Sequence, residues 1–222
     1  MIQRMKLTEA TRDYYRKLAK NAGYRSRSAY KLLQLNRSYG IFRPRQAVVD
    51  LGSAPGGWIQ VAKQQVGGES LVIGIDIKQI RPLEGVTILR GSIDDAEIID
   101  NVLKLIGGRA DIVLSDLSPN LSGIWDLDHS RQISLTRSAL AAALKILRRR
   151  GASVFKVFEG ELLNGLKEEM KNHFQRVYIN KPKASRQRSS EQYIVCFGFE
   201  PLSLETKGGD IRNNTLTLSS RD

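Results

Sequence analysis

Three polar residues stand where an α/β sheet would place its chemistry. Lys156 lies inside Val154-Phe155-Lys156-Val157-Phe158, an apolar run that reads as a buried strand. A buried ammonium must pair with an acid or shed its proton, and groups perturbed in this way concentrate at functional sites. Asp116 closes Ile112-Val113-Leu114-Ser115-Asp116, and Glu191 opens the final apolar strand, so both are candidates to pair with Lys156. For either acid alone, a helix cap or a salt bridge is an equally good account. The lysine is harder to dismiss. A lysine with a lowered pKa is a general base, able to take the proton of a hydroxyl as the oxygen attacks.

A second constellation binds rather than reacts. Val48-Val49-Asp50-Leu51-Gly52-Ser53-Ala54-Pro55-Gly56-Gly57-Trp58 is an apolar strand, a glycine-rich turn and a helix start, an order that lets backbone approach a nucleotide-like ligand. Asp76 ends the next apolar run, Leu71 to Ile75, where an acid would grip a ribose diol. The turn lacks the Gly-x-Gly-x-x-Gly spacing, which argues against a dinucleotide and so against a dehydrogenase. A purely structural loop of another α/β protein is the plain alternative.

These residues need a scaffold, and the pattern supplies one. Strands are expected at 47–51, 71–76, 86–90, 111–116, 152–158, 176–180 and 193–199. Helices are expected at 57–65, about 94–106, 130–149 and 161–173, with glycines marking several ends. Alternation of this kind predicts an α/β fold with a mostly parallel sheet covered on both faces. No helix separates the last two strands, so they should pair antiparallel as an edge hairpin. Two short basic helices, 9–20 and 27–39, precede the sheet. Residues 202–222 are polar, and Thr215 to Leu218 could add a short strand or lie in a tail.

Charge points to the partner. The 222 residues carry a net charge of +12, and residues 1–45 hold twelve Lys or Arg against Glu9 and Asp13 alone. Further clusters are Arg148-Arg149-Arg150 and Lys181, Lys183, Arg186 and Arg188. Concentration of this kind fits a polyanion, nucleic acid above all, better than general solubility. Tyr14, Tyr15, Tyr24 and Tyr30 among the cations suit stacking on unpaired bases more than a lipid surface. No stretch reaches the roughly 18 apolar residues of a membrane span, and no secretory leader is expected. The lone Cys196 reads as a core thiol in a reducing, cytoplasmic setting. His129 and His173 have no cysteine company, so no metal site is expected.

Taken together, the motifs resemble the FtsJ/RrmJ (RlmE) family of S-adenosylmethionine-dependent RNA ribose 2′-O-methyltransferases, over about residues 12–199. The matching segments are Arg25 to Leu32, Val49 to Trp58, Ser115 to Gly123, Phe155 to Phe158, Lys181-Pro182, Ser185-Arg186 and Ser189 to Val195. The resemblance implies a Rossmann-like doubly wound methyltransferase sheet of seven strands. It implies a catalytic tetrad at Lys31, Asp116, Lys156 and Glu191. It implies S-adenosyl-L-methionine contacts at Gly56, Trp58, Asp76 and Asp116. One departure stands out: where bacterial members carry Gly-Asp after the third strand, this chain has Gly91-Ser92-Ile93-Asp94. Either Ser92 meets the adenine edge or Asp94 substitutes from a shifted loop.

The implied organisation is a basic N-terminal extension (1–45) packed on a catalytic domain (46–200), with a tail (201–222), acting as a monomer. The implied substrate is a uridine of large-subunit ribosomal RNA, with the tRNA anticodon loop as runner-up. Asp116-Leu117-Ser118-Pro119 superficially resembles the Asp/Asn-Pro-Pro-Tyr loop of amino-group methyltransferases, but the tyrosine is missing. A non-catalytic RNA-binding module is the rival from another class, and all four tetrad residues argue against it. Arg25, Arg27, Lys183, Arg186 and Arg188 are expected to contact phosphates.

Overall fold

The computed structural model describes residues 14–186 and 188–201. Residues 14–21 are helical, while the start of the expected 9–20 helix and the whole 202–222 segment lie outside the described residues. The elements run α1 (Ala29–Tyr39), β1 (Val48–Leu51), α2 (Gly57–Val66), β2 (Val72–Asp76), β3 (Thr87–Arg90), α3 (Ala96–Ile106), β4 (Ala110–Ser115), α4 (Trp125–Ile146), β5 (Leu147–Phe158), α5 (Leu162–Lys171), β6 (Phe174–Asn180) and β7 (Glu191–Phe199).

The seven strands form one sheet in the order β3-β2-β1-β4-β5-β7-β6. All neighbours are parallel except β7, which runs antiparallel to both β5 and β6. The expected antiparallel hairpin is present, with β6 at the edge and β7 inserted beside β5. Strand order reverses between β1 and β4, and the crevice outside their carboxyl ends is where such sheets hold ligands.

Period-two alternation builds two cores. Val49, Leu51, Val113, Phe155, Ile194 and Cys196 face α3, α4 and α5, where Ile99, Val102, Ile133, Leu140, Leu166 and Met170 meet them. Val48, Ile112, Leu114, Val154, Tyr193 and Val195 face the other way, against Leu32 and Leu35 of α1 and Trp58, Ile59 and Val61 of α2. Strands covered on both faces are apolar throughout, which is why the sequence shows runs rather than alternation. Cys196 is buried with its thiol against Met170 Sδ, and burial pushes its pKa up.

The largest departures from the expected boundaries lie in α4 and β5. The long helix spans Trp125–Ile146 instead of 130–149. Its first turn is exposed and carries no apolar stripe, while Leu147 already pairs with Ala110 in the sheet. Strand β5 therefore begins at Leu147, five residues before the expected start. Between the pairs Ala110–Leu147 and Ile112–Ala152, β5 carries three residues more than β4, and Arg148, Arg149 and Arg150 bulge outward. No described helix is long and apolar enough to cross a membrane.

Candidate active site

The tetrad converges on the face of the sheet that carries α1. Lys156 shares its face of β5 with Val154, and Tyr193 stands directly opposite it across the β5–β7 ladder. Glu191 lies two residues from Tyr193 and therefore on the same side. Asp116 follows the last residue of β4, and Lys31 arrives from α1. Glu191 bridges the two lysines, with Lys31 Nζ 2.5 Å from Oε1 and Lys156 Nζ 3.1 Å from Oε2. Ser185 Oγ also donates to Glu191 Oε1, at 3.0 Å. Lys156 Nζ stands 3.5 Å from Asp116 Oδ1, and that oxygen accepts the Tyr193 hydroxyl proton at 2.8 Å.

The result is a nearly buried chain, Lys31–Glu191–Lys156–Asp116–Tyr193, with two positive and two negative charges. Burial alone would raise the Glu191 pKa, but Lys31 and Lys156 overcome it and hold the carboxyl down at about 2. For Lys156 the sequence leaves pairing with an acid and a lowered pKa both open, and the geometry favours pairing. Burial is the largest influence on its pKa and pushes it down, yet Asp116 and Glu191 together outweigh burial and leave the ammonium favoured. Sequence alone could not weigh two carboxylates against burial, because that balance depends on distances.

Tyr193 and Gln132 were not singled out in the sequence, and both support the cluster. Burial, reinforced by Asp116 and Glu191, raises the Tyr193 pKa well above its ordinary value, so its hydroxyl remains a donor. Lys156 sits one residue past the last β4–β5 pair, and its carbonyl instead accepts from Gln132 Nε2 at 3.1 Å and Thr136 Oγ1 at 2.9 Å. Gln132 Nε2 also reaches the Leu117 carbonyl at 3.3 Å, tying the loop after β4 to β5. Polar residues at i and i+4 on the buried face of α4 were the available signal.

A cleft of about 620 Å³ opens at the β1/β4 reversal, lined by Gly52, Ala54, Asp76, Asp116, Pro119 and Ser134 among others. A narrower slot of about 150 Å³ adjoins it, walled by Ile77, Ile93, Leu117 and Leu135, with Ser92 and Asp94 both at its rim. Ser92 Oγ accepts the backbone N–H of Asp94 at 3.2 Å. Asp76 lines both spaces, its carboxylate fixed by the N–H groups of Ala54 at 2.9 Å and Lys78 at 2.8 Å. Each of its oxygens keeps capacity for a further hydroxyl donor. Gly56 caps the start of α2 at φ 111°, a conformation only glycine adopts readily, and a Cβ there would run into the Arg25 side chain.

The Trp58 side chain is not at the cleft. Its indole is buried against Tyr193 and donates Nε1–H to the Ser28 carbonyl at 2.9 Å. Arg25 donates to the Arg81 and Pro82 carbonyls at 2.6 and 2.7 Å, which latches the loop after β2. Lys183, Arg186 and Arg188 are exposed on the segment that precedes Glu191.

The sheet order, the cleft at its reversal and the charged chain beside it define a methyltransferase with a Rossmann-like α/β sheet. A solved structure from Plasmodium falciparum described as a ribosomal RNA methyltransferase is similar at a TM-score of 0.71 and 30% identity, over 79% of this chain and 98% of that one. The model of the family described as FtsJ-like methyltransferase matches residues 24–199, and the chain belongs to that family. Relatives named ribosomal RNA large subunit methyltransferase E include one from Methanothrix thermoacetophila, 45% identical over 95% of this chain and 81% of its own length. Another, from Nitrosopumilus maritimus, is 46% identical over 88% of this chain and 99% of its own.

Proposed function

We propose that the protein transfers a methyl group from S-adenosylmethionine to a ribose 2′-hydroxyl of large-subunit ribosomal RNA, that of a uridine. The observation that carries this reading is the Lys31–Glu191–Lys156–Asp116 chain, whose Asp116 also lines the 620 Å³ cleft. The cleft fits the cofactor: Asp76 is aimed by backbone to accept from ribose hydroxyls, and the slot beside it offers the apolar side chains of Ile77, Ile93, Leu117 and Leu135 to an adenine. When bound, S-adenosylmethionine supplies a methyl group on a positively charged sulfur, which an oxygen nucleophile can displace.

The residues of the chain do the rest. Asp116 lines the cleft on one side and meets Lys156 on the other, so a hydroxyl brought up beside this pair faces the lysine amine. Lys31 and Glu191 give that hydroxyl a donor and an acceptor of fixed position, and positioning of two reactants is the larger part of such catalysis. Once Lys156 has released its own proton to solvent, its neutral amine takes the hydroxyl proton on Nζ. Any weakening of the Asp116 contact would let burial shift Lys156 toward its basic form.

Ribosomal RNA as substrate is supported by the names of the relatives and by the exposed cations before Glu191. The test is a map of 2′-O-methyl sites in total RNA from cells with and without the protein, joined to transfer of labelled methyl in vitro. One large-subunit uridine that depends on the protein is the expected result. A methyl group found on a base, or on tRNA alone, would overturn it.

A further inference from the structure

The seam between α1 and β6 leads away from the active site along a surface that the methyl-transfer chemistry does not use. One turn after Lys31, Gln34 Oε1 accepts the Ala184 N–H at 2.9 Å, next to the Ser185 that holds Glu191. A groove of about 460 Å³ follows, between Arg37 and Ser38 on α1 and Asn180, Lys181 and Lys183 opposite. At Ser38 it meets a second groove of about 480 Å³, which continues past the end of α1 to the opposite end of the sheet. From Lys31 to Gly40 the helix rise covers about 14 Å.

The two grooves are lined by seven Lys or Arg and by one acid, Asp111. Asp111 is already committed, accepting from the Ala47 N–H at 2.7 Å and pairing with Arg148 at 2.5 Å. Aromatic rings floor the far groove: Tyr39 and Tyr178 lie 5.3 Å apart, and Tyr178 meets Phe197 at 6.4 Å. Tyr178 is 40% exposed. Alternation on β6 explains the surface, since Val177 and Ile179 join the core while Tyr178 and Asn180 face the seam, where Tyr39 at the end of α1 meets them. Arg176, on the same side, lies over the Phe197 ring at 5.3 Å.

The bulge in β5 adds the most pointed feature. It carries three consecutive arginines, of which Arg148 and Arg149 are paired with Asp111 and Glu200. Arg150 is exposed at the groove without a hydrogen bond or ion pair among the described residues, and it holds φ 64°, a left-handed conformation disfavoured for a side chain of its size. Backbone held in this way next to a cationic, aromatic groove points to function more than to stability.

We propose that this seam is a second RNA-binding surface, continuous with the active site, which carries the single strand flanking the target nucleotide. Arginines take its phosphates and Tyr178 stacks on a base. The proposal rests on the RNA-methyltransferase reading above. Two RNAs test it: a transcribed large-subunit fragment containing the mapped nucleotide, and an oligonucleotide cut short beside that nucleotide. The variant is Arg150→Gly with Arg176→Gln, since glycine accepts the backbone at 150 and glutamine preserves packing on Phe197; Tyr178→Ala is a second, separate variant. The wild type should bind the long RNA more tightly than the short one. The double variant should lose that advantage, by roughly tenfold or more near 0.1 M salt, and its log-affinity against log-salt slope should fall by roughly 1.4 for two phosphate contacts. S-adenosylmethionine affinity should stay unchanged. Unaltered affinity and slope in both variants would overturn the proposal and leave an acidic protein surface as the partner of the groove. A wild type that methylates no RNA would sink the functional reading as well, so the two failures are distinguishable.

Discussion

Lys156 is held protonated by the carboxylates meant to position it, and this tension governs the residue scale. If it is the base, kcat/KM should rise toward alkaline pH, because the free enzyme must lose the proton that Asp116 and Glu191 retain. Glu191→Gln removes one of these carboxylates and leaves Lys31 as an unneutralised neighbour. Both changes lower the Lys156 pKa, so the rising limb should move to lower pH. A limb that stays in place would mean that another group titrates. Lys156→Ala should reduce single-turnover transfer by about 10²–10⁴ while S-adenosylmethionine affinity stays within a few-fold by calorimetry. Asp50 is also held protonated, here as a neutral acid. It is fully buried on β1, and its pKa is raised well above 3.8 by burial first and then by Asp116 and Asp76. The folded protein therefore keeps a proton that the unfolded chain releases, and Asp50 makes stability fall as pH rises above about 3.8 until its folded pKa is passed. Asp50→Asn should remove that part of the slope, read as the difference between the two proteins in denaturant midpoints from pH 4 to pH 8.

At the scale of elements, the site depends on how α1 is pinned. Leu32 and Leu35 are fully buried against α2 and the sheet, while Lys31 leaves the same helix toward Glu191. Trp58 fixes the helix start through the Ser28 carbonyl, and Gly40 closes its end at φ 59° with its N–H on the Asn36 carbonyl. Leu35→Ala should cost about 2–5 kcal/mol in equilibrium unfolding, the usual range for emptying a leucine site in a core. It should also reduce methyl transfer in the fraction that stays folded, since the Lys31 to Glu191 geometry rides on that helix. Full activity in a destabilised variant would separate α1 from catalysis. The loop after β4 is held by a different device: Asp128 of α4 accepts from the N–H groups of Ser122 at 2.7 Å and Gly123 at 3.0 Å.

For the whole molecule the net charge of +12 is the governing quantity, because its distribution decides where a polyanion can lie. Arg186 and Arg188 stand exposed a few residues before Glu191. Replacing both by alanine should weaken RNA binding and flatten the salt slope by roughly 1.4, with cofactor binding unaffected. An unchanged slope would place the RNA elsewhere. The sequence by itself determined the sheet, its covered faces, the antiparallel hairpin and the nucleotide turn, because burial and turn chemistry impose local periodicity on each segment. It also marked Lys156, since a charge within an apolar strand has few innocent explanations. Only the tertiary structure decided how these parts meet. Tyr193 joined the cluster through strand register, which opposes it to Lys156, and register is set by partners far apart in the chain. Trp58 turned its ring into the core, and Arg25 became a latch, because neighbours 30 and 56 residues away claimed their donors. The protonation of Lys156 was decided last of all, by two carboxylates within 3.5 Å, and such distances exist only in the folded chain.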